Sequence, residues 1–160
     1  MIDSLERSRI ELRRAEHLYY VSLKYTRTVD MIKNVIARLI TAVEAAMDSL
    51  IMQQVEKGTI DKIPELPRQK IDIVKKEYTD PYILEMVDFY IHLRALDKAT
   101  HDDLKEYRRH VTMATHTPEG DINVDIDKVG GYYQRTVWYL MHIHTVCGQD
   151  EQQVISTKHV

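Results

Sequence analysis

The residues best suited to chemistry are Tyr107-Arg108-Arg109-His110-Val111-Thr112-Met113-Ala114-Thr115-His116. Two arginines and two histidines stand where a helical segment gives way to a loop. A histidine titrating near neutrality can take or return the proton of an RNA 2′-hydroxyl. A guanidinium can grip a phosphate through two hydrogen bonds and offset charge in the transition state. Cleavage of a phosphodiester by such a set needs no metal. Arg109, His110 and His116 are therefore the candidate catalytic residues. By composition alone the plainer reading is a solvated surface, with Arg108 and Arg109 paired to acids.

Other constellations are weaker. His142 and His144 are two apart, so a helix turns them about 200° away from each other and they do not chelate. His144 is expected outside and His142 partly packed. His101-Asp102-Asp103 reads as the start of a helix, with acids in its first turn. Glu119, Asp121 and Asp125 do not match a calcium loop. No Gly-rich phosphate loop, CxxC pair or Ser-His-Asp order is present, so no metal or small-molecule cofactor is expected. Ten tyrosines accompany one Phe and one Trp. Tyr19, Tyr20 and Tyr25 lie near Lys24 and Arg27, and Tyr132, Tyr133 and Trp138 near Arg135. Aromatics beside cations can stack single-stranded bases, which makes Lys24, Arg27 and Arg108 candidate RNA contacts. Core rim or dimer interface is the commoner role of such tyrosines, and we read them so.

The elements that position these residues follow from periodicity. Asp3 and Glu6 form a capping pattern ahead of a first helix from about Ser4 to Lys24, with Arg7 and Arg14 on its solvated side. Tyr25–Thr28 either breaks this helix, with Thr26 or Thr28 capping a new one, or lies inside one kinked helix. Ile32, Ile36, Leu39, Val43, Met47, Leu50 and Ile51 mark a second helix of about 45 Å, ended by Gly58. Asp30, Asn34, Arg38, Thr41 and Asp48 fill its polar side. A linker from Thr59 to Pro67 leads to a short helix, Arg68 to Glu77. Asp80-Pro81 opens a mostly apolar helix, Tyr82 to Leu96. Asp102 to Arg109 reads as helix or turn. Val111–Thr115 and Ile122–Ile126 flank turn residues and predict a small β-hairpin. The last helix runs from about Asp127 to Val146, with Val129, Tyr133, Val137, Leu140 and Ile143 inward. The expected fold is all-α, a four- to five-helix bundle over residues 1–148 with a hairpin before the last helix, and a polar, disordered tail at 149–160.

In this layout the chain resembles HEPN-type helical proteins, closest to uncharacterised archaeal ones. Arg109, a polar His110, five further residues and His116 match the motif of that family: arginine, a polar residue, four to six others, then histidine. The likeness in helix order covers roughly residues 4–147. It implies a helical bundle that often dimerises, bringing two motifs into one cleft. It implies either a metal-independent ribonuclease or an inactive binding or scaffold module. The spacer Val-Thr-Met-Ala-Thr favours β structure, and a strand there points His116 away from Arg109. The reading is therefore a non-catalytic RNA- or protein-binding module, a homodimer, with a metal-independent ribonuclease as the alternative.

Composition bounds the rest. In 160 residues, 44% are apolar and 29% charged, an ordinary globular balance. Only 5 Gly and 4 Pro interrupt the chain, which favours long helices. A net charge of -3 opposes coating of nucleic acid by bulk charge, though not a local basic patch. No apolar run reaches the roughly 18 residues of a membrane span, and the N-terminus lacks signal-peptide character. Cys147 is the one cysteine, so no internal disulfide forms and a cytoplasmic location is expected.

Overall fold

The computed structural model describes residues 3–148. The first helix, α1, spans Ser4–His17, and the Asp3 carboxylate caps it by accepting the Glu6 N–H at 2.7 Å. The arm continues through a π-helical turn, Leu18–Ser22, into a short α2, Leu23–Tyr25. A π turn holds an extra residue. Here it carries Tyr19 and Tyr20, whose rings both reach Tyr133, with centroids 6.1 and 5.7 Å away.

Thr26 leaves helical geometry, and Thr28 Oγ1 accepts the Met31 N–H at 3.2 Å to open α3, Val29–Glu56. Of the two alternatives at Tyr25–Thr28, the break is the one found, with Thr28 as the new cap. All seven stripe residues of α3, Ile32 to Ile51, are fully buried. Gly58 follows the helix at φ +79°, a left-handed conformation that glycine takes without a Cβ clash. Asp48, assigned to the polar side, is instead buried and takes ion pairs from Arg7 at 2.6 Å and Lys70 at 2.9 Å. Arg7 and Arg14 are likewise not simply solvated, since Arg14 pairs with Glu11 at 2.6 Å. Both arginines meet buried acids, and an uncompensated buried carboxylate costs several kcal/mol.

α4 spans Pro67–Glu77 and supplies Lys70, which also reaches Glu44 at 3.1 Å. α5 spans Pro81–Lys98, with the Asp80 carboxylate accepting the Tyr82 N–H at 2.9 Å. α6 spans Ile126–Val146. Its inward residues are as expected, save that Val137 is only partly buried. Buried residues from all of these except the π turn and short linkers join one core cluster centred on α3.

The chain departs from an all-α bundle between α5 and α6. A three-stranded antiparallel sheet stands there, in the order β1 (Thr100–Leu104), β2 (Thr112–Thr117), β3 (Gly120–Asp125). The expected hairpin is β2–β3. The strand before it overturns the helix start read at His101–Asp103 and the helix or turn read from Asp102 as far as Leu104, while Lys105–Arg109 is turn as the second alternative had it. The physical reason is long-range pairing: Thr100 to Leu104 register residue for residue with His116 to Thr112. Acids that resemble a helix cap lie on an open edge, where charge is also well placed. Val111, Met113, Thr115 and Val124 turn inward and are buried, whereas His116, Asp102 and Asp121 lie outward. Among the described residues no helix is long and apolar enough to cross a membrane. The tail expected at 149–160 lies outside the described residues.

Candidate nucleic-acid interface

The segment Lys105–His110 connects β1 to β2. Lys105 and Tyr107 sit at φ 55° and 64°, backbone that non-glycine residues adopt at a cost on the order of 1 kcal/mol or more. The surrounding bonds hold it there. Tyr107 N–H donates to the Arg27 carbonyl at 2.6 Å, and Arg108 N–H to the Lys105 carbonyl at 3.1 Å. The Glu106 carboxylate accepts the Val29 N–H at 3.2 Å, in the first turn of α3. Buried Val111 anchors the far end, its N–H donating to the Arg108 carbonyl at 3.0 Å.

These contacts fasten the β1–β2 connection to the α2–α3 break, although some 80 residues separate Arg27 from Tyr107 in sequence. The joined surface presents Tyr25, 80% exposed, and Tyr107, 76% exposed. Lys24, Lys105, Arg108, Arg109 and His110 are exposed too, and Arg27 is half-buried. Residues 24–30 and 105–110 hold five Lys or Arg against Asp30 and Glu106. Arg27, Arg109 and His110 line one cleft of about 250 Å³ with Asp125, Ile126 and Asp127 at the start of α6. Asp125 is engaged as the cap of α6, accepting the Lys128 N–H at 2.8 Å.

His116 is not part of this cleft. It stands four residues along β2 from Thr112, roughly 13 Å at ~3.3 Å per residue. Its Nδ1 lies 3.0 Å from Asp121 and its Nε2 3.1 Å from Asp102. Hydrogen bonds to Asp121 and then Asp102 raise its pKa above the ordinary histidine value. Once protonated, the ring can donate to both carboxylates, and it then has no lone pair left for taking a proton. Within one chain, then, Arg109 and His110 come together with Arg27, and His116 does not join them. His110 offers its carbonyl to Thr112 Oγ1 at 2.8 Å.

The other expected residues are dispersed. Tyr132 and Tyr133 are buried, so they belong to the core rim. Arg135 lies 4.4 Å over the Phe89 ring and donates to Tyr139 Oη at 2.9 Å. His142 is partly packed, as expected, with Nε2 2.6 Å from Asp80. Asp80 titrates below the usual carboxylate range: burial opposes this, but the bonds from His142 and the Tyr82 N–H outweigh it. His144, expected outside, is 1% exposed; burial and then Arg9 lower its pKa to about 4. Among the described residues no three or more His, Cys, Asp or Glu are grouped to hold a metal. Lys105 was not singled out in the sequence, and Tyr107 entered only as the first residue of the candidate stretch, with no role of its own. The run Lys-Glu-Tyr-Arg-Arg carried a charge signal, but nothing local announced its bond to Arg27. Comparison of the chain with family models, curated proteins and solved structures gives no match.

Proposed function

We propose that this protein is a non-catalytic module that binds single-stranded RNA across Tyr25, Arg27, Tyr107, Arg108 and Arg109. The observation that carries the reading is the bond that brings Tyr107 onto Arg27, setting two exposed tyrosines beside a cluster of cations. Stacking on such rings contributes about 1–3 kcal/mol per base and tolerates any sequence. The arginines add phosphate contacts whose strength falls with salt. The HEPN-type resemblance fits this reading as kinship with the inactive members, because His116 stands apart from Arg109.

Fluorescence anisotropy with labelled oligo(U) tests it. With three phosphate contacts, log K should fall against log[salt] with a slope near -2, from about -0.7 per contact. Arg109→Glu and Arg27→Glu should each weaken binding tenfold or more. Tyr107→Ala should weaken it and leave the slope unchanged. No binding at 50 mM salt, or binding indifferent to Arg109→Glu, would sink the proposal. Cleavage in EDTA giving a 2′,3′-cyclic phosphate would replace it with the ribonuclease. A homodimer is the second reading we carry. Tyr82 and Trp138, 47% and 53% exposed and in edge-to-face contact at 5.1 Å, support it.

A further inference from the structure

A separate groove lies between α1 and α3, lined by Ile10, Arg13, Arg14, His17, Leu18 and Arg38, with a volume of about 490 Å³. Behind it sits Glu11, 6% exposed. One Glu11 oxygen accepts Arg14 Nη1 at 2.6 Å and the other accepts Arg38 Nη1 at 3.1 Å. A single buried carboxylate thus fixes two guanidiniums, from two helices, side by side. Each guanidinium has five N–H donors, and Glu11 takes one from each. The rest stay open to water: the Arg14 and Arg38 side chains are 56% and 45% exposed.

The charges do not cancel. Around Glu11 itself, one carboxylate faces the two guanidiniums of Arg14 and Arg38. Ile10 and Leu18 give the remaining wall an aliphatic surface. Two preset guanidinium forks match the oxygens of a phosphate, and little side-chain freedom is left to lose on binding.

We propose that this groove is a binding site for a phosphate group, clasped by Arg14 and Arg38, with Arg13 and His17 at its rim. The phosphate comes either from a free polyphosphate or from a nucleic-acid backbone. A purely structural Arg14–Glu11–Arg38 bridge would pin α1 to α3 and gain nothing from added phosphate. The site does not depend on the RNA-binding surface at Arg27 and Arg109.

The test is thermal unfolding of the full chain in sodium pyrophosphate and in oligo(U), against sodium chloride at equal ionic strength. Ligand at ten times its Kd should raise Tm by about 3–6 °C for a domain of this size. Arg38→Gln and Arg14→Gln should abolish the pyrophosphate gain, and Arg38→Lys should restore part of it. A gain with pyrophosphate identifies a free or terminal phosphate; an oligo(U) gain that persists in Arg109→Glu and is lost in Arg38→Gln, with none from pyrophosphate, identifies the backbone. Arg109→Glu should leave the pyrophosphate gain intact, which separates this site from the RNA surface. Should Arg38→Gln fail to fold, the native protein still decides. Pyrophosphate must then shift the Arg14 and Arg38 Nε–H resonances and spare that of Arg7. No Arg38-dependent gain in either ligand, or no shift at those resonances, overturns the proposal.

Discussion

Replacing Gly130 and Gly131 one at a time by alanine should move stability in opposite directions, although both stand in the first turns of α6. A Cβ on Gly130 would overlap Tyr19 Oη and lie 2.8 Å from its Cζ. Tyr19 has little room to yield, since its ring meets Tyr20 edge-on at 4.9 Å and stacks on Tyr133 at 6.1 Å. Gly131 is exposed, and nothing lies within 4 Å of a Cβ built there. Alanine in a helix gains about 1 kcal/mol over glycine. At Gly131 that gain stands alone. At Gly130 it is set against overpacking of about 1–3 kcal/mol, for a net loss of about 0–2 kcal/mol. At about 2–4 °C per kcal/mol, Gly131→Ala should raise Tm by about 2–4 °C and Gly130→Ala should lower it by up to about 8 °C. Thermal melts followed by circular dichroism at pH 7 read both. Tyr19→Leu should remove the penalty, so that in its presence both alanines stabilise. Equal gains from Gly130→Ala and Gly131→Ala in the native background would refute the argument.

Two histidines should titrate with opposite effect. Burial drives the pKa of His144 down to about 4, against about 6.5 unfolded, so between those values the unfolded chain binds the extra proton. Its neutral ring therefore contributes stability above pH 6.5 that is lost as pH falls towards 4, by about 3 kcal/mol in all. Denaturant melts across this window should show the loss, and His144→Leu should flatten it; an unchanged slope in that variant would contradict the account. His116, raised by Asp121 and Asp102, contributes stability below its unfolded pKa that disappears as pH rises through its higher folded value. Its NMR titration midpoint should lie above that of a free histidine and fall in Asp121→Asn and in Asp102→Asn. A midpoint at or below the ordinary value in the native protein would show that these pairings do not persist in solution.

The helices were legible because their signals are local. The α3 stripe, the Thr28 and Asp80 caps and the Gly58 stop each rest on residues within a few positions of one another. What escaped is what depends on distant partners. β1 is spelled Thr-His-Asp-Asp-Leu, and only its register against β2 makes it a strand. His144 looked like a polar residue near a helix end, and its burial is set by the helices packed around it. The same limit applied at the candidate interface. Arg27 and Arg108 were legible as cations near aromatics and Arg109 as a candidate phosphate clamp, and the β-favouring spacer correctly argued for a strand carrying His116. That Arg27 and Tyr107 share one surface was not, because a backbone bond across the fold decides it.

One of the two outer strands of the sheet, β1, carries its own bar to pairing with a second copy of itself. β1 has a strand on one side only, so its other side offers backbone donors and acceptors to any extended segment that approaches. Asp102 and Asp103 stand next to each other there, both exposed. A second copy aligning its own β1 alongside would set carboxylates of the two chains near one another on each face of the joined sheet, and like charges directly opposite are destabilising. The acids that read as a helix start thus oppose the pairing of β1 with a second β1 at this edge.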